Sequence, residues 1–179
     1  MDIITKAHRL MLKAHGQQKR KTDGSPYVIH PLMVAKKLAR LDFSDAVIAA
    51  AMVHDVLEDT EVDEKILRQE LGDEVVNIIL PLSEDKSLEW EERKKRYIED
   101  VKNASVETKA VSIADKIHNL ESLIAGHKNM GPVIWTKFNR GREQKINFEK
   151  AMLQAFKDSW DHPMIAEYDK LLREVEKLD

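Results

Sequence analysis

The sequence contains no cysteine. That absence excludes a disulfide framework, a thiolate metal site and a cysteine nucleophile, and it leaves imidazole and carboxylate groups to hold any metal. It also accords with a cytoplasmic location. No run of eighteen apolar residues occurs, which excludes a membrane-spanning helix. The opening residues Met1-Asp2-Ile3-Ile4-Thr5-Lys6 lack the basic-then-apolar order of a signal peptide. Glycine and proline are scarce, at 6 and 5 of 179 residues, so little interrupts long helices. An excess of one charge is missing too. With 29 Lys and Arg against 32 Asp and Glu there is no overall attraction to nucleic acid, and an anionic ligand must be met by a local basic patch. What the chain does have is a 42% hydrophobic, 34% charged composition over a length that supports one self-sufficient domain, residues 1–179.

Apolar residues recur at helical spacing through most of the chain. Ile4, Ala7, Leu10, Met11 and Ala14 mark a helix over 3–15 with Gly16 as its stop, and a polar loop follows over 17–27. The next helix is expected to start near Pro31, with Val34, Ala35, Leu38 and Leu41 on its apolar face. Ser44 is placed to cap a third helix. A loop and short helix ending at Gly72, and a helix over 73–80 broken by Pro81, come next. The charged segment 84–103 spaces Trp90, Tyr97, Ile98 and Val101 on one face and reads as a surface helix. Helices are expected over 106–124, 133–160 and 163–178, with a loop at 126–132. No alternating strand pattern is present, so the fold class is all-α, a compact bundle of about eight to ten helices.

The most concentrated chemistry is His54-Asp55-Val56-Leu57-Glu58-Asp59, directly after the apolar run 47–53. On a continuous helix these four polar side chains would share roughly 140° of circumference. So many acids beside an apolar face repel one another and lose hydration unless a cation or substrate compensates. Two further positions complete a metal set if they converge. His30 precedes Pro31, which favours an extended backbone just outside a helix and leaves the imidazole free to turn inward. Asp115 interrupts an apolar helix face, and Asn119 follows one turn later. His30, His54, Asp55 and Asp115 supply two nitrogen and two oxygen ligands, a set suited to manganese, zinc or ferrous iron rather than calcium. A divalent ion brings water's pKa toward neutrality and offsets charge building on phosphorus. Glu58 and Asp59, one turn further on, are the candidates for general base and acid. No Ser-His or Lys nucleophile arrangement stands out, so the expected reaction is attack of water on a phosphate ester or anhydride.

Ala14-His15-Gly16-Gln17, Arg20-Lys21, the block from Gly24 to Pro31, the HDxxED cluster and Ala114-Asp115-Lys116-Ile117-His118-Asn119-Leu120 resemble, in order and spacing, the hydrolase domain of RelA/SpoT proteins. The resemblance covers about residues 3 to 125. It implies a stand-alone HD-superfamily hydrolase that degrades without synthesising, with manganese on His30, His54, Asp55 and Asp115 and a water-activating pair, Glu58 and Asp59. The implied reaction is removal of the 3′-pyrophosphate of guanosine tetra- or pentaphosphate. Arg20 and Lys21 would flank the base or its phosphates, and Asn119 would contact the nucleoside. Lys137, Arg140 and Arg142, with Lys145, form a second basic group that would face the phosphates from another wall. One departure stands out: the family usually has Arg two positions after the Asn of this last block, where this chain has Glu121. A carboxylate there would repel a highly charged nucleotide. It motivates two alternatives, a phosphomonoesterase acting on another nucleotide such as the 2′-phosphate of NADPH, and a nucleotide-sensing module without turnover.

The remaining marked residues have plainer readings. His8, His15, His118 and His127 are expected to be surface or supporting imidazoles, and His162 a helix-entry residue before Pro163. Trp90, Tyr97, Trp135, Phe148, Phe156 and Trp160 read as core packing, or as contacts with another subunit of a homo-oligomer.

Overall fold

The computed structural model describes residues 1–20 and 24–179. Helix α1 (Ile3–His15) starts at Asp2, whose carboxylate accepts from the Thr5 amide at 2.8 Å. Gly16 follows as its C-cap, and the position needs glycine for a reason of space: a Cβ there would stand 2.5 Å from the Leu12 carbonyl oxygen. Helix α2 spans Ile29–Ala39, α3 Asp45–Val53 behind its Ser44 cap, and α4 the single turn Val56–Asp59. Helix α5 (Glu64–Ile79) is bent at Gly72, where φ is 83°, and leads into a 3-10 turn, Leu80–Leu82, that holds Pro81. Then come α6 (Trp90–Asn103), α7 (Val106–Met130), a second 3-10 segment (Gly131–Lys137), α8 (Gly141–Ser159) and α9 (Met164–Val175). Among the described residues there is no strand, only an isolated bridge between Lys19 and Pro26. The all-α bundle expected from the periodicity is the one that forms.

Helix α3 lies at the centre. It is apolar on nearly every side, and a helix of that kind has to be enclosed. Ala49, Ala50, Ala51 and Val53 are fully buried, with α1, α2, α5 and α7 packed against them. The long α7 carries the other half of the core, with α9, α6 and the second 3-10 segment on its flanks and α8 against α6 and α9. Ile117, Leu120, Ile134, Met152, Phe156 and Tyr168 fill that half.

Four local expectations are corrected. Helix α2 begins at Ile29, so His30 is helical and not extended before it; Pro31 falls in the first turn, where its missing N–H would have had no partner anyway. Helix α7 continues through Gly126 to Met130, where a loop was expected over 126–132. Gly126 allows close approach, since a Cβ would meet Ile134 Cδ1 at 3.0 Å, and the stop comes at Gly131 with φ 62°. The helix expected over 133–160 is split, with a turn at 138–140 and Gly141 at φ 72°. Finally, the HDxxED residues do not share one continuous helix. The His54 Nδ1–H donates to the Ala51 carbonyl at 2.8 Å, taking the acceptor that the Asp55 amide would use in an unbroken helix, and the chain restarts as α4 at Val56.

Candidate active site

That break is what assembles the site. With Asp55 between two helices (φ −97°, ψ −3°), its carboxylate turns back toward His54. His54 Nε2 is 3.1 Å from Asp55 Oδ2 and 3.7 Å from Asp115 Oδ1, while His30 Nε2 is 3.0 Å from Asp115 Oδ1 and 3.7 Å from Asp55 Oδ2. Donor atoms of His30, His54 and Asp115 all lie within 4.8 Å of one another. These groups come from α2, the α3–α4 junction and the middle of α7, and three of the four are at most 7% exposed. Burial opposes ionisation of both carboxyls, yet the His54 imidazole holds Asp55 low and the Lys116 ammonium holds Asp115 well below the usual carboxylate range. Burial pushes the His30 imidazole down, whereas at His54 the two carboxylates outweigh burial and push it well up.

A second layer of side chains fixes this set. The Tyr27 hydroxyl donates to Asp55 Oδ2, Lys116 Nζ donates to Asp115 Oδ2 at 2.8 Å, and Asn119 Nδ2 donates to Asp115 Oδ1 at 2.6 Å. His118 Nδ1 lies 2.7 Å from His30 Nδ1, and burial followed by the His30 charge pushes His118 down to about 4. A neutral His118 can therefore accept from the His30 Nδ1–H, which leaves His30 Nε2 as a lone pair facing the carboxylates.

The set opens into a cavity of about 570 Å³ whose lining includes Gln18, Lys19, Arg20 and Tyr27 from the loop after α1, Glu58 and Asp59 from α4, and Leu82, Glu84, Tyr97, Ser112, Lys116 and Asn119 from the other side of the bundle. Glu58 is raised to about 7, by burial first and then by Glu84, Asp55 and Asp59. Asp59 is more exposed, and its carbonyl accepts from Gln18 Nε2 at 3.1 Å. Arg20 Nη2 donates to Asn119 Oδ1 at 3.1 Å, and its buried Nε has no hydrogen-bond partner among the described residues.

The HD domain family model matches residues 7–156. This chain belongs to the HD-domain family. Among its relatives is a guanosine-3′,5′-bis(diphosphate) 3′-pyrophosphohydrolase, MESH1, of Xenopus tropicalis, 34% identical over 138 residues that make up 75% of each chain. An enzyme of the same name from Aquifex aeolicus is 32% identical over 123 residues, 67% of this chain but 18% of that longer protein. A solved structure of a metazoan SpoT ortholog that hydrolyses ppGpp superposes with a TM-score of 0.83 at 26% identity, covering 97% of this chain and 96% of the other. A structure from Listeria monocytogenes EGD-e gives a TM-score of 0.77 at 34% identity, over 83% and 99%.

Within this HD domain the structure brings His30, His54, Asp55, Asp115, Glu58, Asp59, Arg20 and Asn119 to one cavity. Lys21 lies outside the described residues. The second basic group is a correction, because it does not line the cavity. Lys137 is exposed, Arg140 pairs with Glu91 at 3.3 Å beside Trp90, and Arg142 donates to the Leu178 and Glu176 carbonyls at 2.9 and 2.8 Å. Lys145 is held by buried Glu149. Arg140 thus ties the start of α8 to α6 and Arg142 ties α8 to the chain's end, while the Lys145 pair stays within α8. Glu121 is exposed, 3.9 Å from Lys37 and outside the cavity lining. Sequence reasoning missed Tyr27 and Lys116 as supports of the acidic centre, whereas His118, expected as a surface or supporting imidazole, takes the supporting place beside His30. All three sit inside the recognised blocks, and the readable signal was a polar residue one helical step from a proposed ligand.

Proposed function

We propose that this HD-domain protein hydrolyses guanosine tetra- or pentaphosphate at the 3′ position, releasing pyrophosphate, with a divalent metal, manganese first among the candidates, held by His30, His54, Asp55 and Asp115. The observation that carries the reading is His54 Nε2. It is buried without a hydrogen-bond partner among the described residues, while Nδ1 is committed to the Ala51 carbonyl, and it faces two carboxylates. The two carboxylates hold a proton on this nitrogen when no ion is bound, and a divalent cation can take that proton's place between Nε2 and the carboxylate oxygens, so the donor set fits a metal. When bound, such an ion supplies Lewis-acid help to water and to the phosphorus centre.

The chain's own residues would do the rest. Glu58, raised to about 7, takes the proton of the attacking water while still ionised near neutral pH. Water's oxygen bonds to the phosphorus on the ribose 3′ oxygen, that P–O bond breaks, and the 3′ oxygen receives a proton from the Glu58 and Asp59 pair. Lys19, Arg20 and Lys116, which line the cavity, offset the nucleotide's negative charge, and the Arg20 guanidinium held by Asn119 presents a flat cation for the purine or its phosphates. The guanosine polyphosphate assignment is supported by relatives and a solved structure named for that reaction. We read the chain as one domain over 1–179 that meets this small nucleotide in the cytoplasm. Glu121, which motivates a phosphomonoester substrate, is not among the residues lining the cavity, and this favours the guanosine polyphosphate reading.

The test is incubation of manganese-loaded protein with guanosine tetraphosphate, following GDP, pyrophosphate and orthophosphate separately. GDP and pyrophosphate in equal amounts are expected. Orthophosphate alone would reassign the enzyme as a phosphomonoesterase, and tight binding without any product would make it a sensor.

A further inference from the structure

Helix α4 is a single turn of four residues, too short to hold its own shape in water, yet it carries both Glu58 and Asp59. Something outside it must fix their direction. One tether is Gln18, whose amide reaches the Asp59 carbonyl at 3.1 Å. The other comes from the loop between the Leu80–Leu82 turn and α6. There Asp85 Oδ1 accepts from the Ser87 amide at 3.0 Å and from its hydroxyl at 2.6 Å, and the Leu88 amide donates to the Asp85 carbonyl at 3.2 Å. This turn presents Lys86 toward α4. Its Nζ is 2.6 Å from the Glu58 carbonyl, 2.8 Å from Asp59 Oδ1 and 3.7 Å from Glu58 Oε1, so one ammonium spans three oxygens of the pair. Lys86 is not among the residues lining the cavity.

We propose that Lys86 is a positioning residue: an ammonium clamp that closes the C-terminal end of α4, holds the Asp59 carboxylate against it and leaves Glu58 aimed at the cavity. The inference rests on the reading that Glu58 and Asp59 handle the proton. Charge makes the clamp necessary. Glu58 lies among Glu84, Asp55 and Asp59, and Lys86 is the cation that touches both members of the pair. A basic group at a helix C-terminus also meets the free carbonyls there.

The experiment uses full-length, manganese-loaded Lys86→Met and Lys86→Arg proteins with guanosine tetraphosphate. For the Met variant we expect kcat to fall roughly 10- to 100-fold, the scale for partners one step from the chemistry, with KM and metal content nearly unchanged. Arg should recover most of the loss. A rise in KM with kcat held would make Lys86 a phosphate contact, and no change in either would make it a solvated surface pair; each overturns the proposal. A substrate-free measurement keeps the clamp separable from the substrate assignment. After reductive ¹³C-methylation, the Lys86 resonance, identified by its loss in Lys86→Met, should move in Asp59→Asn. An unmoved resonance refutes the clamp whatever the enzyme hydrolyses.

Discussion

Glu58 shows how one side chain can be unfavourable for the fold and, in the proposed mechanism, useful for the reaction. Its carboxyl is raised from 4.5 to about 7, first by burial and then by neighbouring carboxylates. The folded protein therefore holds this proton more tightly than the unfolded chain does, and stability contributed below about pH 4.5 is lost as pH rises through about 7. Glu58→Gln cannot ionise. In metal-free protein it should match the wild type near pH 4.5 and exceed it by about 1–3 kcal/mol at pH 8, read from urea unfolding at the two pH values. A gain of equal size at both would disprove the ionisation account. The same variant should keep its metal, by elemental analysis, and lose about 10²-fold or more in turnover. His54 was legible in the sequence as a polar residue beside an apolar run. Its tautomer was not, because that depends on the Ala51 carbonyl lying within 2.8 Å of Nδ1.

At the scale of elements, caps and periodicity were readable and interruptions were not. Ser44 and Ser105 cap α3 and α7 with their hydroxyls, as short polar side chains before apolar periodic runs should. Gly126 reads like a helix stop, but what decides its role is the Ile134 side chain packed over it. The gap between α3 and α4 was hidden for a related reason, since a side chain competing for a backbone acceptor leaves no mark in the hydrophobic pattern. The loop before α2 matters through Tyr27, whose hydroxyl fixes Asp55 Oδ2. Tyr27→Phe keeps the ring packing beside His15 and His30 and removes that bond. We expect manganese affinity to weaken about 10- to 100-fold in an isothermal titration, and an unchanged affinity would show that Asp55 needs no such partner.

At the scale of the molecule, the four proposed ligand groups come from α2, the α3–α4 junction and α7, and they meet at one point between the two halves of the core. A cation bound there stabilises the folded form by mass action, about 2.7 kcal/mol at a hundred times its Kd, or roughly 5–10 °C in Tm for a chain of this size. Manganese should produce that rise in the wild type and none in Asp55→Ala, followed by calorimetry. A second prediction concerns the cations on α8. Arg142→Ala should lower stability by about 1–3 kcal/mol, because its bonds to the Leu178 and Glu176 carbonyls are lost, while KM for the nucleotide stays the same. A raised KM would return Arg142 to the substrate.

By itself the sequence determined the fold class, most helices and the identity of the acidic centre, because helical period, capping chemistry and the HDxxED and ADKIHN blocks are local properties of the chain. Only the tertiary structure decided which charges meet. Lys116, His118 and Tyr27 reach the centre, whereas Lys137, Arg140, Arg142 and Glu121 do not. Charged side chains are long, and their partners lie far away in sequence. Where they point is set by how helices pack and where they break, which no short window of residues encodes.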